Sequence, residues 1–122
     1  MNLVHRHLLI YGILSDTPKD TSLVESWLRD LIALVGMKIL VEPKCVYCET
    51  EGNEGMTGIA CLETSHCSIH VWDADKTFKM DLYSCQDFRV KTVLDHLRVL
   101  GMVKYKCILV DRDTNEILLR IE

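Results

Sequence analysis

The stretch GMTGIACLETSHCSIHVWDADKTFKMDLYSC, residues 55–85, decides how this chain folds. Residues 57–63 and 67–72 read as two strands, apolar and bounded by turn-forming residues. Phe78, Met80 and Leu82 then alternate with Lys79 and Asp81, the period of a strand buried on one side.

Working back toward the N-terminus, Glu49–Gly55 is a turn-rich connection. Met37–Val41 reads as a strand whose pairing Pro43 limits. Leu23, Trp27 and Leu31, with Val24, Leu28 and Val35, recur at helical spacing. They predict an amphipathic helix over 22–35, opened by a Ser22–Glu25 capping box and stopped by Gly36. Residues 3–12 read as a first strand, ended by Gly12. Toward the C-terminus, Asp87 is the expected cap of a second helix over 88–100. It turns Val90, Val93, Leu94, Leu97 and Leu100 inward and ends at Gly101. Strands over 103–110 and 116–121 close the chain about a hairpin turn at Asp111–Asn115.

The order βαβ-βββ-αββ has many strands and two helices. It predicts an α+β fold: a two-layer sandwich with an antiparallel sheet and two helices on one face, one domain over 1–122. Such a sheet leaves its other face needing cover, and pairing of two copies supplies it. The net charge of −4 and pI near 5.7 point away from nucleic acid and anionic membranes as partners. No stretch reaches the roughly 18 apolar residues of a membrane span. The start, Met1 to His7, lacks the apolar run and cleavage site of a signal peptide. A cytoplasmic location is expected, and the six cysteines read as free thiols.

Reactive side chains concentrate between Thr57 and His70 and at Cys85. Gly55-Met-Thr57-Gly58 comes first. Ser65-His66-Cys67-Ser68-Ile69-His70 follows, with Trp72 in register, then Asp81-Leu-Tyr-Ser-Cys85; Arg6-His7-Leu8 lies upstream. In order and spacing this resembles the small prokaryotic S-adenosylmethionine decarboxylases, over nearly the whole chain. The resemblance implies a self-processing enzyme with an α+β protomer. Ser65 would attack the carbonyl before it, and β-elimination would split the Thr64–Ser65 bond. A pyruvoyl cofactor derived from Ser65 would remain, with no metal. By the same resemblance His70 is the base, Thr57 a supporting hydroxyl, and Cys85 the acid that returns a proton after CO₂ leaves. The pyruvoyl would hold the substrate amine as a Schiff base and act as electron sink. A homodimer whose sites borrow residues from the partner, and S-adenosylmethionine as a substrate for spermidine synthesis, are also implied. Trp72 and Tyr47 are the candidates for substrate contact, Tyr47 across the dimer.

Three positions depart from the family pattern. Thr64 stands where the family has glutamate, with Glu63 one step back. Asp73-Ala74 follows Trp72 in place of Pro-Glu, which removes the glutamate expected to hold the ribose hydroxyls. Thr57 replaces serine and keeps the hydroxyl. The second departure opens arginine or ornithine as substrate. The first opens a non-processing, non-catalytic relative that serves as a binding or regulatory module.

Plainer readings stand beside these. Ser65 fits a turn serine, His70 a satisfied strand histidine, Cys85 a small buried hydrophobe and Trp72 core filling. Cys45-x-x-Cys48 with Cys61 and Cys67 lacks the spacing of a zinc knuckle. His5 and His7 alternate onto one strand face and read as packing residues. The acidic run 49–54 lacks calcium-loop spacing and reads as a solvated turn.

Overall fold

The computed structural model describes residues 3–122. The leader reading of the first residues rests in part on Met1 and Asn2, which lie outside them. Along the chain the elements are β1 (Arg6–Leu14), α1 (Thr21–Leu34), β2 (Ile39–Cys48), β3 (Gly55–Leu62), β4 (Ser65–Trp72), β5 (Thr77–Ser84), α2 (Val90–Leu100), β6 (Met102–Asp111) and β7 (Glu116–Ile121). The alternation in residues 55–85 becomes the meander β3-β4-β5, with Ala60 opposite Cys67 and Cys67 opposite Leu82. Seven strands form one sheet in the order β2-β3-β4-β5-β1-β6-β7, and every pairing is antiparallel. The N-terminal strand sits inside the sheet, between β5 and β6.

Burial follows the pleat. Leu8 and Ile10 of β1, Met56 and Ala60 of β3, Cys67 and Ile69 of β4, and Phe78, Met80 and Leu82 of β5 point to one face and are buried. α1 adds Val24, Leu28, Leu31 and Ile32, and α2 adds Val93 and Leu97. Sheet and helices thus make the expected α+β sandwich of two layers. Trp27 and His96 join the helices: their rings stack at 4.7 Å, and Trp27 Nε1 donates to the His96 carbonyl at 2.9 Å. The opposite sheet face carries exposed Tyr11, Val46 and Ile59, and no described element covers it.

Several boundaries differ from the sequence reading. β1 runs through Gly12 to Leu14. A Cβ at Gly12 would stand 2.5 Å from both the Phe78 ring and the Lys104 carbonyl, so this glycine admits a close neighbour and does not end the strand. β2 continues through Pro43 to Cys48. It is an edge strand, and its register slips between Val41 and Lys44, where a proline is tolerated. The cap of α1 is Asp20, which accepts from the Ser22 amide. Ser22 does not form the expected box, because the Glu25 carboxylate accepts from the Cys45 amide of β2. α2 begins at Val90, since Asp87 spends its carboxylate on the Phe88 amide.

Candidate active site

β3 and β4 are joined by a two-residue turn, Glu63–Thr64, with Leu62 opposite Ser65. Thr64 holds a φ of 45°, which a β-branched residue rarely adopts. Ser65 opens β4 with its side chain turned into the layer that holds the helices, and it is 8% exposed. Its Oγ accepts from the Cys85 amide at 3.0 Å. Cys85 follows the end of β5 and donates its thiol to the Glu63 carbonyl at 3.5 Å. Hydrogen bonds with the Thr64 and Ser65 hydroxyls pull that thiol below its ordinary pKa. Ser65 and Cys85, twenty residues apart in sequence, therefore share one corner of the sheet.

Thr57 and His70 make a second pair at the other end of the same hairpin. They stand opposite each other across β3 and β4, and Thr57 Oγ1 lies 3.1 Å from His70 Nδ1. Both lie on the uncovered face and are exposed. Gly58 lets this stretch lie close under α1: a Cβ there would sit 2.9 Å from Leu28 Cδ1 and 2.8 Å from Cys45 Sγ. Trp72 continues the patch. Its ring is 6.3 Å from that of His70, its Nε1 donates to Asn53 at 2.9 Å, and the Lys79 ammonium stands 5.6 Å over it.

These two pairs do not meet within one chain. Ser65 and His70 are separated by about 16 Å of strand, at roughly 3.3 Å per residue, and their odd spacing sends them to opposite faces. Tyr47 joins neither pair. It faces the helix layer, and its hydroxyl donates to the Asp73 carboxylate. Lys19 also reaches Asp73, at 2.5 Å. Burial opposes ionisation of Asp73, but the hydrogen bonds from Lys19 and Tyr47 outweigh it and hold the carboxyl below its usual pKa. Asp75 is likewise engaged, accepting from the Thr77 hydroxyl at 2.6 Å. Neither stands free to replace the missing carboxylate at Ala74.

The sequence reading missed two features. One is the Lys19–Tyr47–Asp73 cluster, which joins three distant segments and left no local signal. The other is a ring cluster beside the Ser65 corner, on the uncovered face. There His66 and Tyr83 stack at 5.6 Å, His5 Nδ1 lies 3.1 Å from the Tyr83 hydroxyl, and His7 packs edge-on to Tyr83 at 5.8 Å. His7 Nε2 is 3.5 Å from Asp81, a loose contact without a hydrogen bond. The two-residue alternation of His5 and His7 was its only trace. Among the described residues no three His, Cys, Asp or Glu side chains converge as a metal site. None of their helices is long and apolar enough to cross a membrane.

The chain is similar to S-adenosylmethionine decarboxylase proenzymes of Methanococcus maripaludis. It is 28% identical over 87 residues to those of strains C5 and C6, covering 70% of this chain and 68% of theirs. The strain C7 protein matches to the same extent. The family described as S-adenosylmethionine decarboxylase matches residues 5–113. With the Ser65–Cys85 corner and the Thr57–His70 pair in one seven-stranded sheet, the chain belongs to the S-adenosylmethionine decarboxylase family.

Proposed function

We propose that this chain is a self-processing, pyruvoyl-dependent decarboxylase of S-adenosylmethionine, serving spermidine synthesis in the cytoplasm as a homodimer. The observation that carries this reading is the Ser65 hydroxyl. It sits at the first strand residue after a tight turn, held at 3.0 Å by the Cys85 amide. An N–H aimed at that oxygen favours the alkoxide from which Ser65 attacks the Thr64 carbonyl, and it holds the oxygen in place for that attack. The relatives are named as proenzymes, which supports self-processing. These residues fit a pyruvoyl group, which when formed supplies the electron sink for the carbanion left by CO₂. Cys85 returns a proton from the same corner. Processing consumes the Ser65 hydroxyl, one of the groups that lower its pKa. The thiol then moves back toward its ordinary value and stays protonated, ready to give its proton up. His70 takes up the Ser65 α-proton, its ring oriented by Thr57.

That last role needs a second copy, because one chain keeps His70 far from its own Ser65. In the proposed homodimer the uncovered faces of two copies stack, and the Thr57–His70 pair of one copy approaches the Ser65 backbone of the other, where the α-proton sits. It also covers Tyr11, Val46 and Ile59 and fills a depression of about 350 Å³ beside Tyr11, Lys79 and Lys106. Trp72 then becomes a wall for the substrate.

A second reading is favoured by one observation: Ala74 and the engaged Asp73 and Asp75 offer no carboxylate to ribose hydroxyls. Arginine or ornithine lacks a ribose and needs none. A relative that never cleaves is the third reading. Intact-mass measurement, followed by CO₂ release from S-adenosylmethionine, arginine and ornithine, separates the three. The proposal expects two fragments split at Thr64–Ser65 and release from S-adenosylmethionine. Release from arginine or ornithine alone replaces the substrate. An uncut chain without turnover overturns the enzyme.

A further inference from the structure

Three non-glycine residues among those described hold positive φ: Thr64 at 45°, Lys76 at 60° and Asn115 at 61°. All sit in turns. Lys76 and Asn115 are unbranched at Cβ, and asparagine tolerates this region well. Thr64 alone is β-branched, and it alone precedes the serine of the self-cleavage reading. We infer that Thr64 is a positioning residue for self-cleavage: its left-handed backbone loads strain onto the Thr64–Ser65 bond, and ester formation releases it. This rests on the self-processing reading above.

The surroundings keep Thr64 from relaxing. Leu62 and Ser65 on either side of the turn are paired across the hairpin and buried. Cys85 staples both flanks, with its thiol on the Glu63 carbonyl at 3.5 Å and its amide on Ser65 Oγ at 3.0 Å. A strained conformation persists only where its neighbours over-determine it in this way. The covalent steps explain how the strain is used. Ser65 Oγ adds to the Thr64 carbonyl carbon, the C–N bond breaks, a C–O bond forms, and the hydroxyl proton ends on the Ser65 nitrogen. The link from the Thr64 carbonyl to Ser65 Cα, formerly the nitrogen alone, now runs through Oγ and Cβ. The turn gains a rotatable bond, and Thr64 can return to negative φ. A base then removes the Ser65 α-proton. The Cβ–Oγ bond breaks with its electron pair on the Thr64 carboxylate. The dehydroalanine left behind takes up water and loses ammonia.

The test uses three variants, with cleavage of the full chain followed by intact mass. Thr64→Gly and Thr64→Asn accept positive φ. Each is expected to cleave about tenfold more slowly than wild type, a change of about 1.4 kcal/mol in barrier. In a Ser65→Ala background, which cannot cleave, each is expected to raise the melting temperature. A merely structural role would move rate and melting temperature down together, so their opposite movement is diagnostic. Thr64→Val keeps the branch and loses the hydroxyl, and is expected to cleave about tenfold faster than Thr64→Gly. Glycine and asparagine variants that cleave as fast as wild type, or that leave the melting temperature unraised, overturn the inference. So does a valine variant as slow as the glycine one, which would assign the effect to the hydroxyl. A wild-type chain that stays uncut fails the self-processing reading itself, and this inference with it.

Discussion

Consider a dimer with Ser65→Ala in one subunit and His70→Ala in the other, isolated through two different tags after co-expression. Within one chain the Ser65–Cys85 corner and the Thr57–His70 pair are about 16 Å apart along β4 and on opposite faces. If each site takes its serine from one copy and its histidine from the other, the mixed dimer holds one complete site. Its serine lies on the His70→Ala chain, and its histidine on the Ser65→Ala chain. The Ser65→Ala chain cannot be cut. Nearly all of the His70→Ala chains should be cut, so about half of all chains in the preparation are processed. The same two variants purified alone should remain intact, giving a contrast that mass spectrometry reads without kinetic modelling. Retention of both tags through gel filtration confirms that the dimer stays paired. An uncut mixed dimer refutes the shared site. So does cleavage of the His70→Ala homodimer at the wild-type rate, which would place the base elsewhere.

Three further outcomes follow from the packing and the titrating groups. Gly12→Ala would press a methyl against the Phe78 ring and the Lys104 carbonyl at 2.5 Å; a loss of about 1–3 kcal/mol is expected in urea unfolding. Burial lowers the His7 pKa from its ordinary 6.5, against the pull of Asp81. The unfolded chain then binds more protons as pH drops past 6.5, so this part of the stability is complete above 6.5 and fades below it. The difference in urea midpoint between wild type and His7→Gln should change across that window and be flat above it. Burial pushes the Cys67 thiol up to about 12 and Cys45 up to about 11, whereas hydrogen bonds lower Cys85 and Cys48. Near neutral pH, iodoacetamide should label Cys85 and Cys48 first and reach Cys67 only on unfolding, as peptide mapping would show.

Local pattern made much of the fold legible. The alternation of Phe78, Met80 and Leu82 marks a one-sided strand, and the spacing of Trp27, Leu28 and Leu31 marks a helix, because side-chain period is a property of neighbouring residues. Boundaries were harder to read where a distant group decided them. Gly12 looks like a strand end until Phe78 and Lys104 show why it must lack a Cβ. Ser22 looks like a helix cap until Asp20 takes that place and Cys45 draws Glu25 away.

The site divides in the same way. The sequence alone singled out Thr57, Ser65, His70 and Cys85 as candidates, since their types and spacing carry the family resemblance. That Ser65 and His70 lie on opposite faces came with the structure, which begins β4 at Ser65 and not at residue 67; five steps of a period of two cannot end on the same side. Only the tertiary structure decided that Cys85 returns to Ser65 while Thr57 pairs with His70. That depends on the register of β3, β4 and β5, which is set by burying Ala60, Cys67 and Leu82 on one face. The turn strain at Thr64 and the capture of Asp73 by Lys19 and Tyr47 also required the folded chain, because both are imposed by groups remote in sequence.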